Sequence, residues 1–204
     1  MMKKVVAAAI ALMCLTTGVA MAADGGKGKI AVTGMLGFVA PADSEKSGSP
    51  RLVIDTDTGF GVGGGLLVLL ERNIALEFTV NHTGYDGSVG GQAVGSFDVN
   101  YYTIGGQYRF ASVQQRFTPY AGAGLTFIST DFTRNDGVKA DVDTVVGLTL
   151  SAGLEYPVTR QLALVAESRF LLAPDADMKV GGTGYGSFDP MNFSMGFGAR
   201  FFFN

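Results

Sequence analysis

One cysteine, one histidine and no tryptophan occur in the 204 residues. Cys14 lies in the N-terminal apolar run, which leaves residues 23–204 without thiol or disulfide chemistry. His82 alone gives little scope for the commonest general base or for a histidine-built metal centre. After the N-terminal run no stretch of about eighteen apolar residues appears, so the sequence offers no transmembrane helix. Helical periodicity is missing throughout. Basic clusters and aromatic–basic interleaving are absent too, and the formal net charge is −3, which argues against nucleic acid as a partner. The run Gly61-Val62-Gly63-Gly64-Gly65 is not followed by the Lys-Ser/Thr of a phosphate-binding loop. No cofactor and no metal is implied.

What is present is apolar and glycine-rich: 47% of residues are hydrophobic and 30 are glycine. Lys3 and Lys4 precede an apolar run from Val5 to Leu15, and Ala20-Met21-Ala22 forms a small-x-small cleavage site. That pattern predicts a secretory signal peptide over residues 1–22, leaving 23–204 as one domain. At the other end, Phe193, Met195, Phe197, Ala199, Phe201 and Phe203 alternate with Asn192, Ser194, Gly196, Gly198 and Arg200. A period of two is a strand. Such a row of aromatics would be an aggregation hazard on a soluble edge, but it suits a face turned to hydrocarbon.

The same rule reads eight segments along the chain. The first covers Lys29–Val39 and the second Leu52–Leu70. The third places Ile74, Leu76, Phe78 and Val80 against Glu77, Thr79 and Asn81. The fourth opposes Tyr102, Ile104, Tyr108 and Phe110 to Tyr101, Thr103, Gln107 and Arg109. Pro119–Thr130 is the fifth, with Leu125 and Phe127 on its apolar side. The sixth and seventh centre on Val146–Tyr156 and Leu162–Phe170, and the C-terminal stretch is the eighth. Short turns carry Arg72, Arg116 and Arg160, whereas long acidic loops fall at Pro41–Pro50, Asp86–Gly95, Asp131–Asp143 and Pro174–Asp189. Strands of about 9–11 residues joined alternately by short turns and long loops predict an eight-stranded, antiparallel, up-and-down transmembrane β-barrel. Closure satisfies the backbone that lipid cannot. Short turns on the periplasmic side would leave both termini periplasmic and the long loops extracellular. Tyr102, Tyr108, Phe110, Tyr156 and Phe203 are expected near strand ends, as an interfacial girdle.

Three segments carry a family resemblance. They are Tyr102-Thr103-Ile104-Gly105-Gly106-Gln107-Tyr108-Arg109-Phe110, Pro119-Tyr120-Ala121-Gly122-Ala123-Gly124 and Ala152-Gly153-Leu154-Glu155-Tyr156. They resemble the small bacterial outer-membrane β-barrels of the opacity type, with the OmpX-like and OmpA-type barrels. Gly198-x-x-Phe201-x-Phe203 resembles the C-terminal assembly signal of such barrels. The resemblance implies the outer membrane of a Gram-negative bacterium. Its partners would be lipid, lipopolysaccharide and the barrel-assembly machinery, with a host or neighbouring-cell surface at the loops. It specifies a barrel and not an activity.

By parity the lumen collects Glu77, Arg109, Glu155, Glu167, Arg169 and Arg200. Matched signs suggest a hydrogen-bonded plug, because a buried charge is costly unless paired; the same residues could instead line a narrow pore or channel. Glu77 is the first candidate partner of Arg109, since their strands form a hairpin. His82, Asp98 and Ser96 share the outward parity, so a lipid A-modifying catalytic group is the remaining alternative. The pairs Asp55/Asp57, Asp141/Asp143 and Asp175/Asp177 could each turn two carboxylates to a cation, but read more simply as solvated loop charge. The sequence reading is therefore a non-enzymatic surface or envelope protein.

Overall fold

A computed structural model describes residues 29–42, 44–46, 52–110, 116–180 and 183–203. The regular elements among them are all strands. In chain order they are β1 (Ile30–Pro41), β2 (Ser44–Lys46), β3 (Leu52–Thr56), β4 (Gly59–Leu69), β5 (Ile74–Val89), β6 (Gln92–Arg109) and β7 (Thr118–Arg134). The rest are β8 (Lys139–Val142), β9 (Val145–Pro157), β10 (Leu162–Leu172), β11 (Ala176–Val180), β12 (Thr183–Phe188) and β13 (Asn192–Phe203).

The eight strands β1, β4, β5, β6, β7, β9, β10 and β13 each pair antiparallel with two neighbours. The ring closes where the first meets the last, from Ile30 opposite Phe203 to Pro41 opposite Asn192. The barrel read from the alternation is the barrel observed. Its side chains alternate as the pleat requires: Leu76, Ile104, Leu125, Leu148, Leu164 and Phe197 stand outward and exposed, while Thr79, Thr103, Thr126, Thr149 and Arg200 are buried inside.

The wall differs from expectation at the loop end. The strand expected over Leu52–Leu70 is two strands. β4 pairs with β1 only as far as Val39 opposite Gly59, and β1 ends at Pro41, which has no N–H to extend the ladder. Beyond that point β3 pairs with β2 and β5 instead. The expected loop Asp86–Gly95 is mostly sheet. β5 and β6 stay paired to Val89 opposite Gln92 and turn through Gly90 and Gly91, at φ of 58° and 78°. Two successive positive φ values make a tight hairpin, and glycine reaches them without a Cβ clash.

The other long connections are sheet as well. β7 pairs with β8, β8 with β11, β11 with β12, β12 with β2, and β2 with β3. With the far halves of β5, β6 and β7 they complete a second closed ring stacked on the first. Inside it lies an apolar core that includes Tyr85, Phe97, Val99, Ile128, Phe132, Met178 and Phe188. Phe97 stands at its centre, with ring centroids 4.5 Å from Phe132 and 5.1 Å from Phe188.

The two rings reverse the pattern of the wall. On β5, β6 and β7 the outward row Val80, Tyr102, Phe127 is apolar or aromatic, and the next outward row is His82, Asn100, Ser129. Above it the inward side chains are largely apolar, Tyr85, Phe97 and Phe132 among them, with Thr83 and Thr130 buried beside them, and the outward ones are polar. Tyr102 therefore does not mark a strand end. It marks the edge of the apolar band, because β6 runs on well past that band.

Candidate functional site in the lumen

The lower ring encloses a polar network built from facing strands. Arg109, at the end of β6, donates from Nη2 to Glu155 Oε1 of β9 at 2.6 Å. Arg200 of β13 donates from Nη1 to the other carboxylate oxygen, Oε2, at 2.8 Å, and from Nε to Thr33 of β1 at 2.9 Å. Glu77 of β5 faces two arginines, with Oε1 3.7 Å from Arg169 Nη2 and 3.8 Å from Arg200 Nη2. Arg169 donates from Nε to Glu167, its neighbour on the same face of β10, and from Nη1 to Thr79 at 2.8 Å. Tyr120 of β7 donates its hydroxyl to Glu167 Oε2 at 2.8 Å and lies under the Arg200 guanidinium, 5.5 Å from ring centre to Cζ. Arg200 itself has no exposed surface.

Three acids, three bases and a tyrosine thus form one connected group across the barrel. Room for the tyrosine comes from Gly153, directly opposite it on β9, where an added methyl would collide with the phenol ring. All six charges that parity assigns to the lumen are in it, but Glu77 is not the partner of Arg109. Glu77 sits opposite Gly105, well up the strand, whereas Thr118 opposite Glu155 brings β9 beside the Arg109 end of the barrel. Strand stagger decides the pairing, and hairpin adjacency does not. Tyr120 and Thr33 join the network without a charge to mark them, as does Thr79 from the polar face of β5. Their inward parity was the available signal.

Above the charges, a chain of hydroxyls crosses three strands: Thr103 to Thr126 at 2.8 Å and Thr126 to Thr149 at 2.5 Å. A cavity of about 80 Å³ separates this level from the apolar core. It is lined by inward residues such as Asn81, Thr103 and Asn192, and by Leu36, Phe38 and Val62 of the opposite face. Small residues thin the wall there, with Gly37, Gly61, Gly63 and Gly196 bordering the same cavity.

The remaining candidates are dispersed. His82 Nδ1 lies 3.1 Å from Asn100 Oδ1, which accepts from it in the tautomer that carries Nδ1–H, and His82 Nε2 is 3.9 Å from Asp98. Ser96 is opposite Asp86, further along the ladder, so the three are not gathered into a nucleophile–base–acid chain. Among the described residues no group of three or more His, Cys, Asp or Glu could hold a metal ion. Of the aspartate pairs, Asp143 accepts from Lys179 at 2.8 Å, and Asp57, Asp175 and Asp177 are exposed. Phe201 and Phe203 point outward with their rings edge to face, 5.3 Å apart. Gly198 faces the other way, and a methyl on it would strike the carbonyl of Gly34 on β1.

A closed antiparallel barrel with an apolar belt outside and a charged, hydrogen-bonded interior defines a class: proteins that cross a membrane with strands. The sequence matches the family model "Outer membrane protein beta-barrel domain" over residues 7–201. The chain belongs to that family and is an outer-membrane protein. A comparison with curated protein sequences found no match. Among solved structures the fold is similar to OprG of Pseudomonas aeruginosa, at 14% identity and a TM-score of 0.74, covering 87% of this chain and 97% of that one. It is also similar to the neisserial surface protein A, at 20% identity and 0.58, covering 85% and 97%. The outer membrane protein W of E. coli follows at 16% and 0.50, covering 87% and 98%. These likenesses are of fold.

Proposed function

We propose that this is a non-enzymatic surface and envelope protein whose barrel is closed to ions and whose second ring stands outside the cell. One observation carries the reading: the lumen is occupied twice, by the charge network below and by the apolar core above. Both termini and the arginine-bearing turns then lie in the periplasm. The acidic far end is available to lipopolysaccharide and to host or neighbouring-cell surfaces, and the outward Phe201 and Phe203 to the assembly machinery. The dispersed His82, Asp98 and Ser96 favour no lipid A chemistry.

Planar-bilayer recording tests the closed lumen. Purified protein is expected to give no single-channel steps above the empty bilayer, and regular steps would refute the proposal. One feature favours a second reading, a narrow passage for small or hydrophobic solutes: the cavity of about 80 Å³ is lined from both faces of the wall at β1, β4 and β13. Liposome swelling with small solutes, compared with protein-free liposomes, separates the two.

A further inference from the structure

Among the described residues at the turn end of the barrel the charges do not balance. A hollow of about 260 Å³ opens there, lined by Lys29, Arg72, Arg109, Arg160 and Glu155 among others. Glu155 is fully engaged, since Arg109 and Arg200 each donate to one of its oxygens. Among the described residues that line the hollow, cations are therefore in excess. Glu71, beside Arg72 in the same turn, is exposed and does not line it.

Beneath the floor lies a buried donor without an acceptor. Arg109 is 5% exposed, and its second terminal nitrogen, Nη1, is buried without a hydrogen-bond partner among the described residues. A buried guanidinium N–H left without an acceptor is unfavourable, and native structures rarely tolerate it unfilled. Thr159 adds a donor from the rim. Its oxygen accepts the N–H groups of Gln161 at 3.2 Å and Leu162 at 2.9 Å, which uses its lone pairs and leaves its O–H free to donate. The floor and one wall are tied together, because the Arg109 N–H donates to the Asn73 carbonyl at 2.7 Å and the Asn73 side chain donates back to the Arg109 carbonyl at 2.6 Å.

We propose that this turn-end mouth is a binding site for a phosphate oxyanion. Lys29 comes from the start of β1, Arg72 from the β4–β5 turn, Arg109 from the end of β6, and Thr159 and Arg160 from the β9–β10 turn. Donors arriving from four sides suit a tetrahedral acceptor better than a planar carboxylate, and arginine is the preferred partner of phosphate. The ligand is either free phosphate or the headgroup of an anionic phospholipid at the membrane surface. The site depends neither on which side the turn end faces nor on whether the lumen conducts.

Arg116 supplies the control. It is the arginine of the remaining short turn, between β6 and β7, but it lines a separate hollow with Phe117, Pro119 and Leu154. The test uses protein refolded in dodecyl maltoside, free of phosphate and at fixed ionic strength. Backbone amide shifts of the turns at 70–73 and 158–161 are followed by NMR. The probes are inorganic phosphate, dihexanoyl phosphatidylglycerol and, as a phosphate-free control, dihexanoylglycerol. Saturable shifts are expected with at least one phosphate probe: inorganic phosphate identifies a free anion, and phosphatidylglycerol alone identifies a headgroup. R72Q and R160Q should each weaken binding by about tenfold or more, and R116Q should leave it unchanged. No saturable shift with either probe would overturn the site. Equal weakening by R116Q would overturn it as well, since diffuse turn charge would then account for the binding.

Discussion

Arg200 is the residue on which the lumen depends most. It donates to Glu155 and Thr33, faces Glu77 and covers Tyr120, all without exposed surface. Arg109 shares only Glu155 with it. Breaking a buried pair by removing one partner typically costs ~3–5 kcal/mol. Arg200→Ala is expected in or above that range, and Arg109→Ala below it, because Glu155 keeps its second arginine. Urea unfolding of the refolded protein checks the order. Adding Glu155→Gln to Arg109→Ala should return part of the loss, and a double-mutant cycle measures how much. A channel reading expects the opposite, near-normal stability with altered ion selectivity. On the outer face, Phe201→Asp or Phe203→Asp puts a carboxylate where lipid is expected, at up to ~2–4 kcal/mol near the midplane and less at an interface. The amount of folded protein in the outer membrane should fall for both and stay unchanged when Asn204 is deleted; equal yields for all three would remove their role in assembly.

At the scale of elements, strands and turns were legible where one face met lipid and the other met polar atoms. Clean alternation fixed β9, β10 and β13 within a residue or two, and β5 only at its start. The loop end was misread because a different rule operates there. In Phe97-Asp98-Val99-Asn100-Tyr101 the apolar positions are odd, and from Tyr102 through Ile104 to Tyr108 they are even. The strand does not break at the change of phase; the solvent outside it changes from hydrocarbon to water. β7 shows the same change between Phe127 and Ile128. Which charge meets which was not legible, because stagger around the ring is a property of all the strands together. The upper core should therefore behave as a unit of its own. Phe97→Ala removes a side chain with no exposed surface, and such truncations cost ~3–5 kcal/mol. Hydrogen exchange should rise in β8, β11 and β12 while β1, β10 and β13 stay protected; uniform loosening of both rings would contradict that independence.

The molecule as a whole has a barrel with no free edge, from which unfolding could start only by breaking a ladder. Unboiled samples in detergent should keep a compact form and migrate differently from boiled ones on a gel. Identical mobility, with helical circular dichroism, would not fit this fold. The two stacked rings also have a consequence for how the chain comes to span its membrane. The upper core gains its burial energy from water, and hydrocarbon offers no comparable incentive to hide Phe97, Phe132 and Phe188 from solvent. Those side chains can therefore condense only after the hairpins have emerged on the far side, and retreat would return them to a place where the gain is lost. The upper ring should then act as a one-way latch on insertion. Chains carrying Phe97→Ala and Phe132→Ala together should slip back more often. In refolded vesicles that would appear as weaker labelling of an Asp136→Cys reporter by a membrane-impermeant maleimide, and undiminished labelling would show that nothing is being latched.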